Sequence, residues 1–136
     1  MGFFTSGAKS VENLTNDDIR KIFPKFTAEN VEKNNVTFEK IVEIASRKGC
    51  SPGQLSLAWV QHQGNDVSSI PGTTKVKNLE ENIGALSVKI TPDEMKEIEN
   101  VLSTCGFSGD RMADAYKDLT WMNSETPPLF SWKDVR

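Results

Sequence analysis

One segment of this chain reads as a β-strand, "VSSIP" at Val67–Pro71, and it stands among four stretches that read as helices. That imbalance constrains the fold more than any other feature. A strand without a neighbour leaves its N–H and C=O groups unpaired, and burying them unpaired is costly. The segment therefore has to join a larger sheet or pair with another copy of the chain. The expected order is helix, helix, strand, helix, helix and an irregular tail.

The helices announce themselves through their ends. Thr27 is a good N-cap with Glu29 in the first turn, and Gly49 is a natural C-cap, so one helix is expected from Ala28 to Lys48. Val31, Phe38, Ile41, Val42 and Ala45 give it an apolar face, interrupted by a polar middle at Lys33-Asn34-Asn35. Ser51-Pro52 opens a second helix carrying Leu55, Ala58, Trp59 and His62 on one face, and Gly64-Asn65-Asp66 closes it. Lys77 to Ala85 reads as a third helix with Leu79, Asn82, Ile83 and Leu86 in helical register. Thr91-Pro92-Asp93-Glu94 has the capping-box pattern and opens a helix to about Val101, with Met95, Ile98 and Leu102 inward. Ahead of these, Asn16-Asp17-Asp18 starts a short helix that places Ile19, Ile22 and Phe23 on one face, and Pro24 ends it.

The bulk numbers exclude several classes. The 136 residues suit one domain, and a hydrophobic share of 37% implies a thin core. A net charge of −3 argues against nucleic acid, which needs a clustered basic surface. No run of about 18 apolar residues exists, so no membrane span is expected. Cys50 and Cys105 have no ligand spacing and His62 is the sole histidine, which excludes a histidine-rich metal site and fits a reduced, cytoplasmic setting. The start shows no secretory signal, although "MGFFTS" formally fits a myristoylation pattern through Gly2 and Ser6.

The stretch with chemical character is "SSIPGTTKVKNLEEN", Ser68–Asn82. A strand, a Pro-Gly turn and a helix start present N–H groups and a positive dipole end to an anion. Thr73 and Thr74 add hydroxyls, and Lys75 and Lys77 add charges suited to a phosphate monoester. Asn78, Glu81 and Asn82 follow within reach of a purine or ribose. The two commonest nucleotide fingerprints, GxGxxG and GxxxxGK[ST], are absent, so a plain connection with solvated lysines is the competing reading.

"GCSPGQLSLAWVQHQGNDVSSIPGTTKVKNLEENIGALSVKITPDEMKEI", Gly49–Ile98, resembles the C-terminal part of an aldo-keto reductase. It is most similar to the plant auxin-induced and perakine-reductase-like branch. "FPKFTAENVEKN" at Phe23–Asn34 resembles the preceding segment, and "NSETPPLFSW" resembles the tail of grass members. The resemblance implies an α/β chain, the C-terminal piece of a (β/α)8 barrel, mostly helical, with one short barrel strand and no closed barrel. It divides the chain into a reductase segment at 1–103 and an irregular tail at 104–136. It also implies contacts to NADP(H): Gly72, Thr73, Thr74 and Lys75 at the 2′-phosphate, Glu81 and Asn82 at the adenine, and Asn78 where many members carry an arginine over the adenine.

The family's catalytic tetrad of aspartate, tyrosine, lysine and histidine lies in the first half of the barrel. "GFF" at Gly2–Phe4 resembles the end of the loop after the seventh strand, so the tetrad is expected upstream of this stretch. Tyr116, the only tyrosine, lies in the tail beside Lys117 and Asp118, and His62 sits on a helix that resembles one on the barrel exterior. No catalytic residue and no metal ligand is therefore assigned. Three readings follow. The chain is a truncated reductase piece with partial, weak NADP(H) binding and no activity alone. Alternatively it is a non-catalytic protein whose helix faces, with Trp121, Phe130 and Trp132 in the tail, bind a partner or a second copy. Third, an active reductase assembles when a missing half associates.

Overall fold

A computed structural model describes residues 3, 14–15 and 17–119. Four α-helices form among them: α1 at Ala28–Lys48, α2 at Pro52–Gln61, α3 at Val76–Gly84 and α4 at Pro92–Cys105. Short 3-10 turns flank them at Ile19–Ile22, Pro24–Phe26, Ala85–Ser87 and Asp114–Leu119. The "MGFFTS" pattern apart from Phe3, and the tail motif around Trp121, Phe130 and Trp132, lie outside the described residues.

The caps act as the sequence implies. The Thr27 hydroxyl accepts from the Asn30 N–H, and Gly49 ends α1 at φ 73°, a conformation that costs glycine nothing. Ser51 and Gln54 close a capping box on α2, and Thr91 and Glu94 close one on α4. Helix α3 starts at Lys75 with no side-chain cap.

Packing follows from α1. Its C-terminal half contributes Ile41, Ile44 and Ala45 to a cluster with Leu55 and Ala58 of α2, Ile90, and Ile98 of α4. Trp59 and Met95 pack on its edge. Its N-terminal half places Val31 in a second cluster with Phe3, Phe23 and Phe26, against which Phe38 and Met112 pack. Phe3 meets Phe38 and Phe107 edge to face, with centroids 6.1 and 5.5 Å apart. The α1–α4 contact is pinned outside by ion pairs, Lys48 to Glu94 at 2.7 Å and Arg47 to Glu97 at 2.5 Å.

The polar middle of α1 has a use that its sequence did not reveal. Asn34 is 1% exposed. Its Nδ2 donates to the Ser108 carbonyl at 2.9 Å, and its Oδ1 accepts from the Ser108 N–H. Thr37, one turn later and equally buried, donates to the Gly106 carbonyl at 2.7 Å. Together they fasten the chain after α4 to α1. Gly109 completes the contact at φ 86°, where a β-carbon would come within 2.7 Å of the Pro24 and Lys25 backbone.

Two expectations need correction. Val67–Pro71 is not a strand: no strand forms among the described residues, and Ile70 is 93% exposed. Among the described residues the segment has no partner strand to pair with, so it runs there as an exposed, unladdered connection. Next, Ile19 and Ile22 are exposed and only Phe23 of that trio is buried, because a single 3-10 turn holds too few residues to turn three side chains inward. Helix α3 forms where it was expected, with Leu79, Ile83 and, in the 3-10 turn after it, Leu86 exposed. Helix α3 meets α2 through its opposite side, where Gly84 lies against Gln54.

Two stability predictions follow. Replacing Asn34 with alanine leaves the Ser108 N–H and carbonyl unpaired and should cost about 1–3 kcal/mol in urea denaturation. Gly109→Ala should also destabilise, since it combines positive φ with a backbone clash. A further prediction concerns acid. The Lys48 ammonium, followed by the Thr91 N–H, holds the Glu94 carboxyl down at about 2, against 4.5 unperturbed. A depressed carboxylate contributes stability above its unfolded pKa and loses it as pH falls towards the folded value. The native chain should therefore lose stability between about pH 4.5 and 2 more steeply than Glu94→Gln, as denaturation midpoints across that window would show.

Candidate functional site

Local chemistry builds the turn before α3. Pro71 and Gly72 end the extended segment, and Thr73 folds back so that its Oγ1 accepts from the Lys75 N–H at 3.2 Å. This small threonine turn sets the chain at the angle from which α3 departs. Lys75 is the N-cap, with extended φ −113° and ψ 128°, and its carbonyl accepts from the Asn78 and Leu79 N–H groups at 3.1 Å. No side chain caps α3, which leaves its first N–H groups facing solvent. The positive end of a helix dipole, two threonine hydroxyls and the Lys75 ammonium thus share one exposed corner.

The residues expected to touch a nucleotide divide into two groups. Gly72, Thr73, Thr74 and Lys75 are contiguous and exposed, and a β-carbon on Gly72 would meet nothing within 4 Å. Glu81 and Asn82 stand three and four residues after Asn78, on the same side of α3. Five of these seven residues are exposed, and Glu81 and Asn82 are half-buried. The corner presents charge and hydrogen-bond donors without desolvating what it holds, which suits a phosphate and gives little grip on a base.

Glu81 has a structural partner that the sequence did not reveal. Its carboxylate accepts from the Ser51 hydroxyl, and its backbone carbonyl accepts from Gln54 Nε2 at 3.3 Å. The two residues of the α2 capping box therefore also hold α3. The signal was present in "SPGQ", but nothing in the sequence says that its hydroxyl serves a second helix. Asn78 remains exposed and Asn82 half-buried.

A cleft of about 410 Å³ lies elsewhere, between the end of α1 and the turn after α3, bordered by Lys48, Cys50, Gln54, Ser87 and Lys89. None of the seven expected residues lines it. Its thiol is a poor nucleophile, because burial pushes the Cys50 pKa up. His62 sits exposed at the end of α2 with Nδ1 2.7 Å from the Ala58 carbonyl, and Tyr116 is exposed on a separate 3-10 turn. Among the described residues no group of three histidine, cysteine, aspartate or glutamate side chains could hold a metal, and no helix is long and apolar enough to cross a membrane.

The turn is exposed and lies outside the helix it precedes. Trypsin should therefore cut after Lys75 before it cuts after Lys77, which is inside α3. Mass spectrometry of early digests would check the order. With that geometry in place, comparison with known protein families shows that a family model described as the aldo/keto reductase family matches residues 1–103.

Proposed function

The chain belongs to the aldo/keto reductase family, and from that premise we propose that the corner at Gly72–Lys75 is its contact for the 2′-phosphate of NADP(H). The observation that carries this reading is the uncapped α3 N-terminus coinciding with Thr73, Thr74 and Lys75 on one exposed turn. In this reading Thr73 and Thr74 donate hydroxyls to the phosphate oxygens. Lys75 supplies a point charge, and Gly72 lets the backbone approach without a side chain in the way. Asn78, Glu81 and Asn82 lie along the adenine side. Glu81 is shared with the Ser51 hydroxyl, so its carboxylate is already oriented by α2.

The motifs at Gly49–Ile98 and in the tail support assignment to the plant auxin-induced and perakine-reductase-like branch. Carbonyl reduction by the family needs a tyrosine acid with its aspartate, lysine and histidine partners converging on one carbonyl. The proposal gives this stretch the adenosine end of the cofactor and assigns it no proton or hydride step. Holding one end of a dinucleotide forgoes every contact to the other, and each 1.4 kcal/mol forgone weakens the Kd about tenfold. Binding by this chain alone should accordingly be weak.

A second reading, partner binding in place of cofactor binding, is favoured by one observation. The apolar side of α3 is exposed at Val76, Leu79, Ile83 and Leu86.

Calorimetric titration separates the two. The purified chain should bind 2′-phospho-AMP in preference to 5′-AMP, and Lys75→Ala should reduce that preference about tenfold, the usual scale for a charge-assisted contact. Asn78→Arg should tighten 2′-phospho-AMP about two- to fivefold by placing a guanidinium over the base. Equal or absent binding of the two nucleotides would discard the cofactor reading. Oxidation of NADPH on adding a carbonyl compound to the chain alone would discard the assignment of binding without chemistry.

A further inference from the structure

We propose that Ser51 and Gln54 of α2 are positioning residues for the nucleotide base: they aim the Glu81 carboxylate so that α3 takes a 6-aminopurine in preference to a 6-oxopurine. The inference rests on the cofactor reading of α3 and adds a source for base selectivity. It starts from a hydrogen-bond network. The Ser51 hydroxyl accepts from the Gln54 N–H at 3.1 Å and donates to Glu81 Oε1. Gln54 Oε1 accepts from the Ser51 N–H at 3.0 Å, and its Nε2 donates to the Glu81 carbonyl at 3.3 Å. A capping box needs only the two bonds within α2. Each side chain makes one more, and both extra bonds end on Glu81. Gly84 leaves room for the second of them, since a β-carbon there would lie 2.5 Å from Gln54 Nε2.

Those two bonds fix different things. The Gln54 amide holds the Glu81 backbone. The Ser51 hydroxyl holds the carboxylate, through a charge-assisted bond that a swing of the side chain would break. Glu81 is half-buried, and its other oxygen, Oε2, has no hydrogen-bond partner among the described residues. A carboxylate accepts and does not donate. Oε2 is thus an aimed acceptor on the side of α3 that also carries Asn78 and Asn82. Adenine offers such an acceptor its exocyclic amine at C6. Hypoxanthine has a carbonyl at C6 and its donor on the ring nitrogen beside it. A carboxylate free to turn follows the donor to that nitrogen, and the two bases bind alike. A carboxylate held by Ser51 meets the C6 substituent, where a carbonyl leaves two acceptors facing each other unpaired. The amides of Asn78 and Asn82 present donors and acceptors alike, so they discriminate little. Selection is therefore a property of how Glu81 is held.

Calorimetric titration of the full chain with 2′-phospho-AMP and with 2′-phospho-IMP, which carries the hypoxanthine base, tests the idea. The two share their phosphates, so charge cancels from the ratio of their Kd values. The native chain should favour 2′-phospho-AMP about tenfold. Ser51→Ala should bring that ratio to about one while keeping the preference for 2′-phospho-AMP over 5′-AMP. Ser51→Thr keeps the hydroxyl and should keep the native ratio. Gln54→Glu retains an acceptor for the Ser51 N–H and loses the donor to the Glu81 carbonyl. It should lower the ratio as well, and it carries the test if Ser51→Ala does not fold. A purely structural role would lower stability without moving the ratio. A native chain that binds neither 2′-phosphonucleotide overturns the cofactor reading and this inference with it. A native chain that prefers 2′-phospho-AMP to 5′-AMP yet treats the two bases alike overturns this inference alone. So does a ratio that neither Ser51→Ala nor Gln54→Glu moves.

Discussion

Helix α1 is the constraint on which the rest depends. One continuous helix carries Val31 into the aromatic cluster and Ile41, Ile44 and Ala45 into the aliphatic one. Among the described residues α1 is the helix that both clusters share, and it runs unbroken for 21 residues. Its length is set locally, by the Thr27 hydroxyl at one end and the positive φ of Gly49 at the other. Halfway along, Asn34 and Thr37 replace apolar contacts with bonds to Ser108 and Gly106. Both side chains are fully buried, and between them they satisfy backbone groups that no helix or sheet would otherwise pair. Polar residues at the join let the two halves of α1 belong to different clusters without leaving unpaired groups between them.

The parts of this fold that were legible in the sequence are those whose causes lie within a few residues. The start of α1, the Ser51-Pro52 start of α2 and the Thr91–Glu94 capping box all follow from side chains bonding to backbone three residues away, and the end of α1 from the positive φ of Gly49. The illegible parts have causes far along the chain. Asn34 reads as a solvated interruption because its partner Ser108 is 74 positions distant. Glu81 reads as a free nucleotide contact because Ser51, which donates to it, lies 30 positions earlier. Of the candidate site, the contiguous turn at Gly72–Lys75 was legible, being a local event. The setting of α3 against α2 was not.

The segment Val67–Pro71 shows the same division from the other side. Its composition favours an extended backbone, and it forms neither helix nor strand. Strand status, however, depends on a neighbouring chain, and a favourable composition supplies no hydrogen-bond partner. Helix α3 differs because its backbone bonds are internal, so it forms whether or not its apolar side is covered. The exposures of Ile70, Leu79 and Ile83 therefore have one origin: local structure has formed and non-local burial has not followed.

That origin bears on how α3 is used. A helix held on one side only, by Gln54 and Ser51 of α2, offers its remaining circumference to other molecules. Its uncapped start and the Asn78, Glu81, Asn82 side suit a small anionic ligand, and its apolar side suits a surface. Lys75 is the N-cap at that start. A point charge at that position has no competing partner among the described residues and the helix dipole beside it has the same sign. An anion is therefore favoured there, and the physical demand at the corner is for negative charge.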